Sequence, residues 1–139
     1  MRFYGRVYKD GAFWLAEAPI LDAMTQGRTR KEALSMVEDL IETLAGRPGF
    51  SVKAHPGKDG DFEVSSSDTR GMISLLLRRQ RERSGLSLAE AAERLGAKSR
   101  NAYARYERGT SVPTLEKLNE LLQAVSPGRD FVLDQSVVV

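Results

Sequence analysis

The sequence predicts an α+β protein in two units, a small N-terminal ββαβ-like layer followed by a C-terminal all-helical domain. Three observations carry that prediction. In the first 65 positions Arg2 to Tyr8, Phe50 to Ala54 and Phe62 to Val64 alternate apolar with polar residues, as a half-buried strand requires. Beyond the stretch SSSDTRG, residues 65–71, the strand period gives way to helical spacing. Charge divides at the same place: residues 1–68 hold 9 Lys+Arg against 11 Asp+Glu, a net of −2, while residues 69–139 hold 12 against 8, a net of +4. The excess is concentrated in residues 70–108, with 10 basic and 4 acidic side chains, the local surplus that a polyanion attracts.

The elements follow in order. Arg2 to Tyr8 alternates, Asp10-Gly11 fits a tight hairpin turn, and Phe13 to Ala18 returns as a second strand. Thr29 with Glu32 three residues on forms the reciprocal capping pattern, and Ala33, Val37, Leu40, Ile41 and Leu44 then recur at helical spacing until Gly46 and Pro48 end the helix. Phe50, Val52 and Ala54 alternate again, the 56–60 stretch can turn, and Phe62 and Val64 resume the pattern. In the second half Ile73, Leu76 and Leu77 open one helix. Leu88, Ala91, Ala92 and Leu95 make another, begun by Ser87 with Glu90 in capping register and ended by Gly96. Tyr103 and Tyr106 share the buried face of a third helix, and Leu115, Leu118, Leu122 and Val125 that of a fourth, capped by Thr114. The expected division is a unit over 1–66, a linker over 67–71, a helical domain over 72–128 and a β-prone tail over 129–139, a candidate dimer strand.

Composition excludes several kinds of chemistry. The 139 residues include no cysteine, so disulfides, thiolate metal sites and thiol nucleophiles are absent. No run approaches the 18 apolar residues of a membrane span, and the first residues lack the apolar stretch of a signal peptide, which leads to the expectation of a cytoplasmic protein. The single histidine, His55, precedes a proline in a turn and reads as a surface residue. Glu17, Asp22 and Asp39 could be imagined as a magnesium-binding set, but nothing in their spacing brings them together, and Asp39 falls on the polar side of its helix. Hence no enzyme activity, metal or cofactor is expected.

Four short helices, with a glycine between the second and third and basic residues opening the third, make a helix-turn-helix arrangement. Over residues 77–122 the motifs GLSLAEAAERLG, YERG and PTLEKL resemble the Cro and lambda-repressor-type (XRE) family. The turn Gly96-Ala97-Lys98-Ser99 is one residue longer than is usual there. Alignment backward from Glu107 keeps the third helix in register. The resemblance then implies DNA contacts from Ser99, Arg100, Asn101 and Arg105, with phosphates held by Lys98 and by the helix that Ser87 opens.

The first half, FWLAEAPILDAMTQGRTRKEALSMVEDLIETL, is similar to the HicB antitoxin family through Pro19, Thr25-Gln26-Gly27 and Glu32-Ala33-Leu34. Asp22-Ala23-Met24 replaces the Gly-Cys pair common before TQG. The resemblance implies a partly ribonuclease H-like fold that occludes a HicA-type toxin, an mRNA-cleaving ribonuclease, and operator repression by a homodimer or higher even oligomer. The alternative is a stand-alone transcriptional regulator whose N-terminal domain binds a ligand or only dimerises.

Overall fold

A computed structural model describes residues 1–137. It is an α+β structure in the order βββαββ followed by four helices. Strands β1 (Arg2–Asp10), β2 (Phe13–Ala18), β3 (Ala23–Gly27), β4 (Lys53–Pro56) and β5 (Asp61–Ser65) form one antiparallel sheet in the order β3-β2-β1-β5-β4. Five strands stand where the ββαβ-like expectation counted three. The difference lies in the Thr25-Gln26-Gly27 segment, which belongs to a full edge strand pairing Trp14 with Gly27 and Ala18 with Ala23, and in the two alternating stretches around the expected 56–60 turn, which count as two strands paired from Lys53↔Ser65 to Pro56↔Phe62.

Period-2 alternation gives the sheet one buried face. Phe3, Val7, Ala16, Ala18, Ala23, Ala54, Phe62 and Val64 point toward helix α1 (Arg30–Ala45), which contributes Ala33, Val37 and Ile41. Thr29 caps α1 through its side chain, accepting from the Glu32 amide at 3.0 Å, and Gly46 closes it at φ 59°. Small residues let helix and sheet approach closely: a Cβ on Gly27 would stand 2.5 Å from the Ala33 nitrogen, and one on Gly5 would enter the ring of its cross-strand partner Phe62. Among the described residues the opposite face carries no helix, and Tyr4, Phe13 and Met24 are exposed there on adjacent strands.

Helix α2 (Thr69–Arg83) begins inside the segment expected to be a linker. Asp68 accepts from the Gly71 amide at 2.8 Å, and Gly71 is buried so close to Phe50 that a Cβ would lie 2.8 Å from its ring. The polar SSSDTRG stretch is therefore a helix cap and a packed first turn rather than a free tether. Gly71 to Leu77 are all buried, because α2 is covered on one side by the sheet unit and on the other by α4 (Asn101–Arg108) and α5 (Leu115–Val125).

Polar side chains of α2 also grip the one-turn 3-10 helix Pro19–Leu21. Arg79 donates to the carbonyls of Leu21 and Asp22, each at 2.8 Å, and Gln80 donates to that of Ile20 at 2.7 Å while accepting from the buried Ser126 hydroxyl at 2.9 Å. The sheet, α2 and α5 thus meet in one satisfied polar network. Residues 129–137 have no regular secondary structure: Phe131 packs against the core, Ser136 hydrogen-bonds Glu63, and Val132, Leu133 and Val137 are exposed. The tail expected as a candidate dimer strand forms none within the described chain, and its last residues, Val138 and Val139, lie outside the described residues.

Candidate nucleic-acid interface

Helix α3 (Leu88–Arg94) opens with a reciprocal cap: the Ser87 hydroxyl accepts from the Glu90 amide at 3.0 Å, and the Ser87 amide donates to the Glu90 carboxylate at 3.1 Å. The Ser87 backbone N–H and hydroxyl hold the Glu90 carboxyl below its ordinary value, so it stays charged beside the helix end. That negative charge shares the α3 N-terminus with any phosphate approaching Ser87, whose own O–H can still donate.

A turn over 95–100 leads to α4. Lys98, Ser99, Arg100 and Asn101 are all exposed, and Arg100 provides no side-chain cap, so its guanidinium is not spent on the helix end. Tyr103, Ala104 and Tyr106 face the core, while Asn101, Arg105 and Arg108, spaced i, i+4 and i+7, form one exposed stripe about 10 Å long. Arg105 lies over the Tyr106 ring at 5.0 Å and donates to its hydroxyl at 3.3 Å, which fixes the guanidinium at the middle of the stripe. The residues expected from the sequence to meet DNA, apart from Ser87 on the neighbouring helix, are therefore gathered along the α4 start and face.

Two long-range anchors hold α4. Glu107 receives Arg81 of α2 in a fork at 2.6 and 2.9 Å, and Arg81 spends its third contact on the Leu86 carbonyl at 2.8 Å. That hydrogen bond to Glu107 raises the Arg81 pKa further above its already high value. At the same C-terminal end of the helix the buried Ser74 hydroxyl donates to the Tyr106 carbonyl at 2.9 Å, Arg70 to that of Gly109 at 2.8 Å, and Arg47 to that of Arg108 at 3.3 Å. Burial pushes the Tyr103 phenol far up, so it is neutral in the core.

Sequence reasoning missed Arg108, which the i+7 spacing from Asn101 could have supplied. It also missed Arg47 and Arg70, whose proximity to α4 has no local signal. His55 is half-buried, its Nε2 2.7 Å from the Ser65 hydroxyl, and burial, then Arg2 and Lys53, lower its pKa. Among the described residues no group of three or more His, Cys, Asp or Glu could hold a metal ion, and Asp22 instead lies 4.0 Å from Arg79. Among them, too, no helix is long and apolar enough to cross a membrane.

Residues 77–125, roughly a third of the chain, match the family described as Helix-turn-helix. No curated protein matches the chain. The match spans the end of α2 through α5, in agreement with the XRE-type reading of these helices, and a domain of this type suggests DNA binding and transcription regulation.

Proposed function

We propose that the protein is a HicB-type antitoxin that represses its own operon through the α4 face and occludes a HicA-type toxin with its sheet unit. The observation that carries the DNA half is the exposed stripe of Asn101, Arg105 and Arg108, continued by Arg100, Ser99 and Lys98 at the helix start and held in place by the Arg81–Glu107 fork. Asn and Arg are the side chains that read adenine and guanine edges in the major groove. One such helix makes three or four base contacts at about 1–3 kcal/mol each, short of operator selectivity, so the reading includes a two-fold symmetric homodimer or a higher even oligomer on paired half-sites.

The toxin half rests on the sequence resemblance and gains support from the helix-free sheet face. There Tyr4, Phe13 and Met24 expose 50%, 42% and 54% of their surface on three neighbouring strands, separate apolar side chains set among Arg6, Glu17 and Asp10 on a face that another protein could bury. Occlusion by surface burial requires no cofactor and no catalytic residue on this chain.

The test is co-expression with the short reading frame beside the gene. Rescue of growth and co-purification of the two products support the antitoxin. Operator binding with neither rescue nor co-purification leaves the stand-alone regulator, and binding of neither DNA nor the neighbouring product overturns both halves.

A further inference from the structure

The geometry points to Arg47, in the loop between α1 and β4, as a contact to the DNA backbone that extends the recognition face onto the sheet unit. This inference rests on the DNA-binding reading above and adds to it a residue outside the helix-turn-helix. Gly46 ends α1 in a left-handed conformation and turns the chain so that Arg47 reaches the far end of α4. Its Nη1 lies 3.3 Å from the Arg108 carbonyl, and its guanidinium covers Gly109 so closely that a Cβ there would stand 2.5 Å from Nη1. Arg47 therefore adjoins the C-terminal end of the stripe Asn101–Arg105–Arg108.

Charge accounting around this end of α4 leaves a surplus of cations. A cleft of about 540 Å³ opens here, bordered by Arg47, Arg78, Glu107, Arg108 and Thr110. Both Glu107 oxygens are taken by Arg81, and Arg78 is paired with Glu82 at 2.8 Å. Among the described residues Arg47, Arg70 and Arg108 form no ion pair. The negative end of the α4 dipole and its carbonyls absorb part of that charge. A guanidinium has five N–H donors, however, and the Arg108 carbonyl takes only one from Arg47. The unused side of the fork suits a phosphate, and the adjoining stripe selects the phosphate of a duplex rather than that of a free small molecule.

The experiment uses the full chain and two duplexes, the region upstream of its own gene and a random sequence of equal length, titrated from 50 to 200 mM salt. Arg47→Gln should weaken both duplexes alike and lower the salt slope by about 0.9, so that the penalty at 50 mM is about 3.5 times that at 200 mM. Arg47→Lys should keep the slope, because a phosphate responds to charge. If Arg47 only caps α4, both variants keep the wild-type slope and the inference fails. The chain lacks cysteine, so an Arg47→Cys protein carrying an iron-EDTA label gives an independent reading of position. Backbone cleavage confined to the edge of the bound site is expected, and uniform background cleavage overturns the proposal. Inorganic phosphate that raises the melting temperature of wild type but not of Arg47→Gln, with the DNA slope unchanged, would assign the cleft to a free anion instead. Wild-type protein that binds neither duplex overturns the DNA reading itself. Wild type that binds, is weakened by Arg100→Ala and ignores Arg47→Gln overturns this inference alone.

Discussion

Replacing Glu107 by alanine should cost about 3 kcal/mol of folding stability, although the residue lies on a short surface helix. The Arg81 and Glu107 side chains are only 14% and 7% exposed, so the change leaves a largely buried guanidinium with the Leu86 carbonyl as its one remaining partner. Two charge-assisted hydrogen bonds at about 1.5–3 kcal/mol each are lost, and breaking a buried pair from one side typically costs about 3–5 kcal/mol. The remaining exposure of Arg81 admits water and places the figure at the low end. With an unfolding entropy of about 2.1 cal/mol/K per residue, 3 kcal/mol corresponds to a fall in Tm of about 10 °C. Urea and thermal unfolding followed by far-ultraviolet circular dichroism measure both quantities. Arg81→Met combined with Glu107→Leu removes both charges and fills their volume, so the double variant should return to within about 1 kcal/mol of wild type. A Glu107→Ala protein within 0.5 kcal/mol of wild type, or a double variant no better than the single one, would refute the assignment of this pair as the anchor of α4.

Arg100→Ala and Asn101→Ala should each lose about 1–3 kcal/mol on the operator and little on random duplex, whereas Lys98→Ala should weaken both and lower the salt slope by about 1; binding isotherms across a salt series separate the two patterns. Gly27→Ala should destabilise by about 2 kcal/mol in urea melts, because the added methyl meets the Ala33 backbone and β3 must move off α1. Glu90 has a folded-state pKa below its unfolded one, so its contribution is complete above the ordinary carboxylate range and is lost as pH falls through the depressed value. The stability difference between wild type and Glu90→Gln should therefore shrink across that acidic window, and a difference independent of pH contradicts the capping role.

Local chemistry made much of this structure legible. Thr29 with Glu32 and Ser87 with Glu90 are caps separated by three residues; the second forms reciprocally as its spacing predicts, whereas at the first only the Thr29 hydroxyl accepts from the Glu32 amide and the Glu32 carboxylate accepts from the Arg28 amide instead. The buried faces of α1 and α4 follow from 3.6-residue periodicity. What escaped reading is whatever joins distant segments through the backbone. Every residue carries a carbonyl, so no pattern marks Pro19 to Asp22 as the acceptors of Arg79, Gln80 and Arg83. The segment around Asp68 was hidden differently: its polar residues suggest a tether, while the Asp68 cap and the apolar run from Met72 were the signal of a helix start. At the site, Arg100, Asn101 and Arg105 could be placed by register, but Arg47 lies 61 positions from the residue whose carbonyl it reaches.

The strand order β3-β2-β1-β5-β4 also sets a schedule for synthesis. β1 finds β2 as soon as their hairpin emerges, but its other edge waits for Asp61–Ser65. At about 5–20 residues per second, the 47 positions between Ala18 and Ser65 leave that edge unpaired for about 2–9 s. Arg2 and Arg6 punctuate this edge with charge, a common protection against strands of other nascent chains. Arg2 leaves that duty only when β5 arrives and Glu63 takes its guanidinium at 3.0 Å. Four residues later the chain is already at Thr69, so completion of the sheet and nucleation of α2 against it fall almost together on the ribosome.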